Sequence, residues 1–334
     1  MAETAPATEH PTPPFSVRQD GPSLVGMGAL FLASIGLAMV FSFTFNDLNI
    51  RAFEDPDSLA NPLYYLAIVV VFTLIILAIV KYAKRVIIKY IVLASVALTI
   101  YYVAAPLLSH FLTGFGEPPL GMGAAGVVGA LLAAALTALL WFYPEWYVID
   151  TVGVLVAAGA AGIFGISFGL LPSLLLLVAF AVYDAIAVYR TKHMLDLADS
   201  VLELRLPIMF VVPKSRGYSF LEETRRVGKA AEDAPAAPRE AMFMGLGDAV
   251  IPGVLVVSAI TFLDPVVGGV GGMSAPLLVA SATLIGSFAG FCALMYFVMK
   301  GRAHAGLPLL NGGAIVGFLL ALLPLYGFAP LWPF

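Results

Sequence analysis

The chain has 334 residues, of which 61% are hydrophobic and only 11% are charged, and its formal net charge at pH 7 is −4. Soluble domains carry about 25% charged residues, so this composition excludes an ordinary soluble protein and indicates a multi-pass protein of the cell membrane. No basic face is available for nucleic acid. The single cysteine, Cys292, excludes a disulfide within the chain and a cysteine-based metal site.

The first 22 residues are rich in Pro, Thr and Ala and include the acidic residues Glu3 and Glu9. Such a composition is typical of a disordered tail. The segment lacks the basic beginning of a signal peptide, and no small-residue cleavage site follows the first apolar run. We therefore expect a tail over 1–22 and a first span that remains as an anchor.

Nine apolar runs are long enough to cross a hydrocarbon core of about 30 Å, which takes about 20 helical residues. The sequence therefore predicts an all-α polytopic membrane protein, with six transmembrane helices in 23–189 and three in 241–334. The predicted spans are 24–45, 62–80, 86–108, 122–140, 147–168, 172–189, 241–263, 276–299 and 307–329.

Lysine and arginine are distributed unevenly between alternate loops. With the N-terminus in the cytoplasm, sixteen of the 17 basic residues fall in cytoplasmic segments, and only Arg51 falls outside. Basic residues accumulate in the cytoplasmic loops of membrane proteins, so the pattern predicts a cytoplasmic N-terminus and an extracytoplasmic C-terminus.

The longest predicted loop, 190–240, lies on the cytoplasmic side in this topology. Its beginning mixes apolar and charged residues as an interfacial amphipathic helix does. The run 206–213 is apolar between prolines and is compatible with a strand that has an exposed edge. The remainder is typical of a mobile linker.

Small residues recur every four positions along the fifth span, at Gly153, Ala157, Ala161 and Gly165. In lipid, where the hydrophobic effect does not drive helices together, a small face allows close backbone packing. We expect this face to serve as scaffold packing.

Two aspartates lie inside predicted spans, Asp184 in the sixth and Asp248 in the seventh. An aspartate at the centre of a lipid-embedded helix costs about 2.5–3.5 kcal/mol, so it indicates a function and needs a partner. At 1.5 Å per residue, Asp184 lies about 9 Å from Arg190 and Asp248 about 13 Å from Arg239. The two helices are antiparallel, so both carboxylates fall in the cytoplasmic half of the membrane.

Two carboxylates at close range in a low dielectric cannot both ionise, and such a pair can share a proton. One carboxylate can then take a proton from water while the other donates a proton to a carbonyl oxygen. The sequence itself does not show that Asp184 and Asp248 face each other.

The neighbours of Asp248 favour the close approach of another backbone. Gly245 and Gly247 leave a bare surface beside the acid. Pro252 has no N–H, so the Asp248 carbonyl loses its usual helical partner. An extended substrate strand could supply that partner; the alternative is that glycine and proline only accommodate a packed kink.

Other polar residues favour structural roles. We expect Asp150 to be interfacial or capping, Asn311 to form a hydrogen bond between helices, and His304 to be solvated. Residues 165–169 spell G-x-S-x-G, but that motif acts on a strand–turn–helix elbow. No H-E-x-x-H zinc motif occurs in the sequence.

The main alternative from another functional class is a proton- or cation-coupled transporter or channel. Paired acids inside a membrane also serve as proton relays, and broken helices also mark transport sites. The chain has no internal repeat between its halves and few further polar residues along a path, which disfavours transport.

Two motifs on consecutive spans resemble those of a known family. Tyr183–Asp184 and Gly245–Asp248 are similar to the YD and GxGD motifs of presenilins and signal peptide peptidases, the GxGD intramembrane aspartyl proteases. The resemblance covers all nine predicted spans and the long loop, and the composition is similar to that of archaeal presenilin homologues. It implies that Asp184 and Asp248 are the catalytic residues.

The third motif of that family, Pro-Ala-Leu-Pro at the start of the ninth span, is matched in part. Ala305 and Gly306 stand where the family has proline and alanine, whereas Leu307 and Pro308 match. By resemblance this segment borders the active site and helps to seat substrate. The residues expected to support the site or to bind substrate are Tyr183, Gly245, Leu246, Gly247, Pro252, Leu307 and Pro308.

The resemblance implies an intramembrane aspartic endopeptidase that works without a metal or an organic cofactor. Its expected partners are transmembrane-helix substrates within the lipid bilayer, and such a helix must unwind locally because a helical peptide bond is shielded. The sequence leaves the oligomeric state, the natural substrates and self-cleavage open.

Overall fold

The computed structural model describes residues 17–82, 86–113, 123–191, 209–215, 217–223, 240–269, 272–300 and 304–332. Within these ranges the chain forms nine α-helices of 17 residues or more and one two-stranded antiparallel sheet. The elements are α1 Val17–Asp47, α2 Ala60–Tyr82, α3 Val86–Thr113, α4 Ala124–Phe142, α5 Trp146–Gly165, α6 Leu170–Ile186, β1 Met209–Pro213, β2 Ala241–Gly245, α7 Leu246–Phe262, α8 Ala275–Met299 and α9 Leu307–Tyr326. A π-helical turn, Ala187–Thr191, follows α6.

Eight of these helices are long and apolar enough to cross a membrane. One of the eight, α6, reaches this length together with the π-helical turn that follows it, as Leu170–Tyr189. The remaining helix, α7, is equally apolar but ends after 17 residues. The predicted polytopic helical membrane fold is confirmed, with the addition of the small sheet. The count of nine spans and the orientation in the membrane stay predictions.

The beginning of α1 differs from the prediction, because residues 17–22, assigned to the tail, are helical. Two contacts hold this segment against the end of β1. Lys214 Nζ lies 3.2 Å from Asp20 Oδ1, and the Ser23 hydroxyl donates to the Pro213 carbonyl at 2.7 Å. These partners stabilise polar turns that hydropathy alone does not assign to a helix. Residues 1–16 lie outside the described residues.

The predicted seventh span, 241–263, begins too early. Its first five residues form β2, which pairs with β1 in the run 206–213 where the sequence is compatible with a strand. Met209 pairs with Gly245, and Pro213 pairs with Ala241. Glycine disfavours the interior of a helix, and the strand pairing supplies the backbone hydrogen bonds that a helix would otherwise have made.

Much of the predicted cytoplasmic loop, including the expected amphipathic helix and linker, lies outside the described residues. The described part after β1 is tied to the start of α5 by one buried carboxylate. Glu145 accepts a hydrogen bond from the Ser219 hydroxyl at 2.7 Å and another from the Phe220 N–H at 3.1 Å.

The centre of the fold is the contact between α5 and α7. Eleven residues of α7 are buried, and 61% of the α5 span is buried, against 6% for α2. The small face of α5 allows this approach: a Cβ on Gly165 would collide with Val257 of α7, and one on Gly153 would lie 3.1 Å from Leu246. The predicted scaffold role of this face is confirmed.

The helices α8 and α9 touch backbone to backbone. Cβ atoms would collide with the partner helix at four glycines, namely Gly286, Gly290, Gly313 and Gly317. The collision at Gly313 would be with the Gly286 carbonyl oxygen, which has no freedom to move aside. Close packing of this kind fixes the position of α9 and of its N-terminal end.

We expect Gly313→Leu to lower the melting temperature in detergent, because overpacking a close contact costs about 1–3 kcal/mol or more. Gly312→Leu is the matched control, since a Cβ on Gly312 would have no neighbour within 4 Å. Equal melting temperatures for the two variants would contradict the described packing of α8 against α9.

Candidate active site

Asp184 lies in the last turn of α6 and is only 7% exposed. Its Oδ2 accepts the backbone N–H of Leu307 at 3.0 Å, and its carboxylate also accepts the N–H of Gly306. Both donors lie at the beginning of α9, where N–H groups have no partner within the helix and attract a negative charge. Asp184 therefore caps α9 from a neighbouring helix.

Asp248 is the third residue of α7, not a residue in the middle of a helix. The residue before the helix, Gly245, has the extended conformation of a helix N-cap, with φ −63° and ψ 140°. The Asp248 carboxylate reaches back to accept the Gly245 N–H, as the third residue does in a capping box. The change from strand to helix at Gly245 therefore determines where the carboxylate lies.

The two carboxylates converge on the turn that precedes α9. A Cβ on Gly306 would lie 3.3 Å from Asp248 Oδ1, while the N–H of the same residue faces Asp184. The carboxylates of Asp184 and Asp248 are close enough to interact electrostatically. Asp184 is buried and Asp248 is half-buried, so Asp248 is the more exposed member of the pair.

Space is open beside Asp248. Gly245 and Gly247 are exposed, and a Cβ on Gly247 would have no neighbour within 4 Å. Leu246 lies on the other side and is buried. Pro252 is buried in the second turn of α7 and cannot donate to the Asp248 carbonyl.

The other predicted site residues surround the same turn or connect it to the rest of the bundle. Leu307 is buried and Pro308 is the second residue of α9, in the first turn, where proline is tolerated because the N–H it lacks would have no partner within the helix. Tyr183 donates its hydroxyl hydrogen to Thr73 Oγ1 of α2 at 3.5 Å. Tyr183 therefore connects α6 to the least buried of the candidate spans.

Tyr189 contacts the site and was missed by sequence reasoning. Its hydroxyl accepts the N–H of Ala305 at 3.3 Å. Ala305 occupies the position that is proline in the resembled motif, and proline would have no N–H to satisfy. Alanine in place of proline at position 305 is the feature of the sequence that could have indicated a nearby acceptor, since the added N–H needs one.

The structure also tests what the sequence predicts for three other polar residues, Asn311, His304 and Asp150. Asn311 donates its amide to the Leu177 carbonyl at 2.9 Å, which confirms the predicted hydrogen bond between helices. His304 is half-buried, and its ring stacks on Phe297 at 4.8 Å, so the prediction that it is simply solvated is wrong. Asp150, expected to be interfacial or capping, is buried and binds the edge of β1 instead: its Oδ1 accepts the Val211 N–H at 2.7 Å.

A protein family and two solved structures are similar to this chain. The chain matches a family described as signal-peptide peptidase, presenilin aspartyl protease, over residues 27–326. It is also similar to a presenilin family intramembrane aspartate protease solved in C222 and P2 space groups. The C222 structure is 35% identical with a TM-score of 0.62, covering 89% of this chain and 98% of that one. The P2 structure is 34% identical with a TM-score of 0.61, covering 90% and 98%. No curated protein matches the chain.

We expect Tyr189→Phe to raise amide hydrogen exchange at Ala305 by about fivefold, the factor that corresponds to a hydrogen bond worth about 1 kcal/mol. Exchange followed by mass spectrometry on a peptide that begins at least two residues before Ala305 measures this change. Tyr183→Phe is the matched control, because that hydroxyl bonds α2 instead. Unchanged exchange in Tyr189→Phe would contradict the proposed contact.

Proposed function

Because the chain belongs to the signal-peptide peptidase and presenilin aspartyl protease family, we propose that Asp184 and Asp248 are its catalytic pair. The protein is a multi-pass integral membrane protein and an intramembrane aspartic protease. The observation that carries the residue assignment is the convergence of both carboxylates on Gly306 and Leu307.

The proposed chemistry is acid–base hydrolysis of a peptide bond. The pair holds one proton between two carboxyl groups, because both cannot ionise at short range in an apolar site. The ionised carboxylate takes a proton from water, and the water oxygen bonds to the peptide carbonyl carbon while the other carboxyl protonates the carbonyl oxygen. Collapse of the tetrahedral intermediate breaks the C–N bond: the leaving nitrogen receives a proton from one carboxyl, and a hydroxyl of the intermediate returns a proton to the other, so the pair again holds one proton. The two groups therefore titrate as one unit.

The proposed substrates are transmembrane helices of other membrane proteins. In a helix each carbonyl is hydrogen-bonded and surrounded by side chains, so the bond to be cut must leave the helical conformation first. An unwound segment inside a membrane needs new partners for its backbone groups. The sheet beside Asp248 offers such partners.

The open edge of β2 supports strand addition as the way substrate is held. Lys214 donates to the Glu240 carbonyl, and in an antiparallel pair the bonded positions alternate. With the observed register, the backbone groups of Ala241 and Phe243 therefore point away from β1. The described ranges contain no third strand in this sheet, so a substrate strand can pair there.

The same edge leads to the acids. Gly245 also points its N–H away from β1, and that N–H is the one bound by Asp248. A strand paired along β2 would pass the open space at Gly247 and bring its backbone to Asp248. This continuity from strand edge to carboxylate supports the proposed substrate path.

We expect Asp184→Ala and Asp248→Ala each to reduce cleavage of a single-span reporter peptide in detergent by at least about 1,000-fold. Asp264→Ala is the control, because Asp264 follows the opposite end of α7 and should leave cleavage unchanged. Melting temperatures of all three variants establish that they fold.

Unimpaired cleavage in either active-site variant would exclude the proposed pair. The transporter alternative has its own signature, namely no peptidase activity in the parent chain and ion flux into liposomes that both variants lose. The comparisons with known proteins do not favour that alternative.

We expect Gly247→Ala to lower kcat/KM by about tenfold or more, because an added methyl group would occupy the space through which a substrate backbone passes. The melting temperature should not fall, since a Cβ on Gly247 meets no atom within 4 Å in the free protein. Gly268→Ala, at another glycine with open space, is the control. Parental kcat/KM in Gly247→Ala would rule out this substrate path.

A further inference from the structure

Asp150 is a further acid in a membrane-spanning helix, besides Asp184 and Asp248, and the proposed hydrolytic mechanism does not use it. It lies in the second turn of α5 and is 6% exposed. An acid in such a place is costly, which calls for a specific partner. The partner is a backbone group: Asp150 Oδ1 accepts the N–H of Val211, itself fully buried, at 2.7 Å.

This hydrogen bond lies on the outer edge of β1. Val211 pairs with Phe243 at a position where the backbone groups point away from the neighbouring strand. The N–H of Val211 is therefore directed at α5, and Asp150 supplies the acceptor that this edge would otherwise lack. Among the described residues, one edge of the sheet is thus bound to α5 and the other has no strand partner.

The same face of α5 also contacts the start of α7. Gly153 follows Asp150 by three residues, which places both on one side of the helix. A Cβ on Gly153 would lie 3.1 Å from Leu246 and 3.2 Å from Phe210. One turn of α5 therefore contacts β1 and the residue that opens α7, two positions before Asp248.

We propose that Asp150 is a positioning residue that fixes the β1–β2 sheet on α5 and thereby sets the register of a substrate strand relative to Asp184 and Asp248. This inference rests on the proposed function, because register has meaning only if substrate pairs along β2. Asp150 itself does not touch the reacting atoms.

A carboxylate at this position holds the strand because it accepts a hydrogen bond, and an amide carbonyl accepts one as well. Asp150→Asn keeps an acceptor at nearly the same place, whereas Asp150→Leu keeps the branch at Cγ, is larger, and removes the acceptor. The two variants therefore separate positioning from packing. If Asp150→Leu does not purify as folded protein, Asp150→Ala takes its place.

The first measurement is independent of activity. We expect amide exchange in the peptide that contains Val211 to rise by about tenfold in Asp150→Leu and to remain parental in Asp150→Asn. Parental exchange in Asp150→Leu would overturn the proposal. If the parent chain cleaves no reporter, the proposed function fails, and this measurement still reports on the hydrogen bond.

The second measurement is the position of cleavage, read by mass spectrometry of the reporter products. We expect Asp150→Leu to spread cleavage over neighbouring peptide bonds and to lower kcat/KM per folded molecule by about tenfold, whereas Asp150→Asn keeps the parental products. Ser258→Ala is the control for lost stability alone, because it removes the hydrogen bond from Ser258 to the Phe168 carbonyl, at a distance from the sheet.

Ser258→Ala is expected to lower the melting temperature and leave the products unchanged. Two results would overturn the positioning role of Asp150. One is a parental product pattern in Asp150→Leu, and the other is an Asp150→Asn variant that spreads cleavage as Asp150→Leu does.

Discussion

A carboxylate buried in a membrane protein needs hydrogen-bond donors, and the first turn of a helix has N–H groups that need acceptors. In the proposed active site both needs are met at each of the two aspartates. Asp184 accepts N–H groups at the start of α9, and Asp248 accepts the N–H of the residue that precedes α7. Each acid is therefore placed by a helix that begins inside the apolar part of the protein. Moving either helix start by one residue would turn the N–H groups away from the acids.

Helices that begin inside the apolar region leave the preceding backbone without helical partners, and in a membrane that backbone must be satisfied by protein. Before α7 the solution is the pairing of β2 with β1, with Asp150 bonded to the outer edge of β1. Before α9 it is the side chain of Tyr189, which accepts the Ala305 N–H. Within the described part of the chain, the edge of β2 that faces away from β1 has no strand partner, and this edge leads to Asp248. In the proposed function, substrate binding and catalysis would therefore share one segment of backbone.

Hydropathy, the costs of buried acids and helix rise were sufficient to predict a polytopic helical bundle with two aspartates at similar depth. The segment 241–245 was predicted as helix because a short apolar run fits a helix or a strand equally well. The strand forms because a partner, Met209–Pro213, lies some thirty residues earlier in the chain, and no local pattern reports that pairing. The approach of Gly306 to Asp248 is a contact of the same nonlocal kind.

The departure of this chain from the Pro-Ala-Leu-Pro motif is explained by what the turn before α9 must do. It must direct the N–H groups of Gly306 and Leu307 toward Asp184. Proline ahead of that turn would restrict the backbone and offer no N–H, whereas Ala305 brings an N–H that Tyr189 accepts. Glycine in place of alanine at 306 removes a Cβ that would lie 3.3 Å from Asp248. The requirement is therefore the direction of two N–H groups, and more than one sequence can meet it.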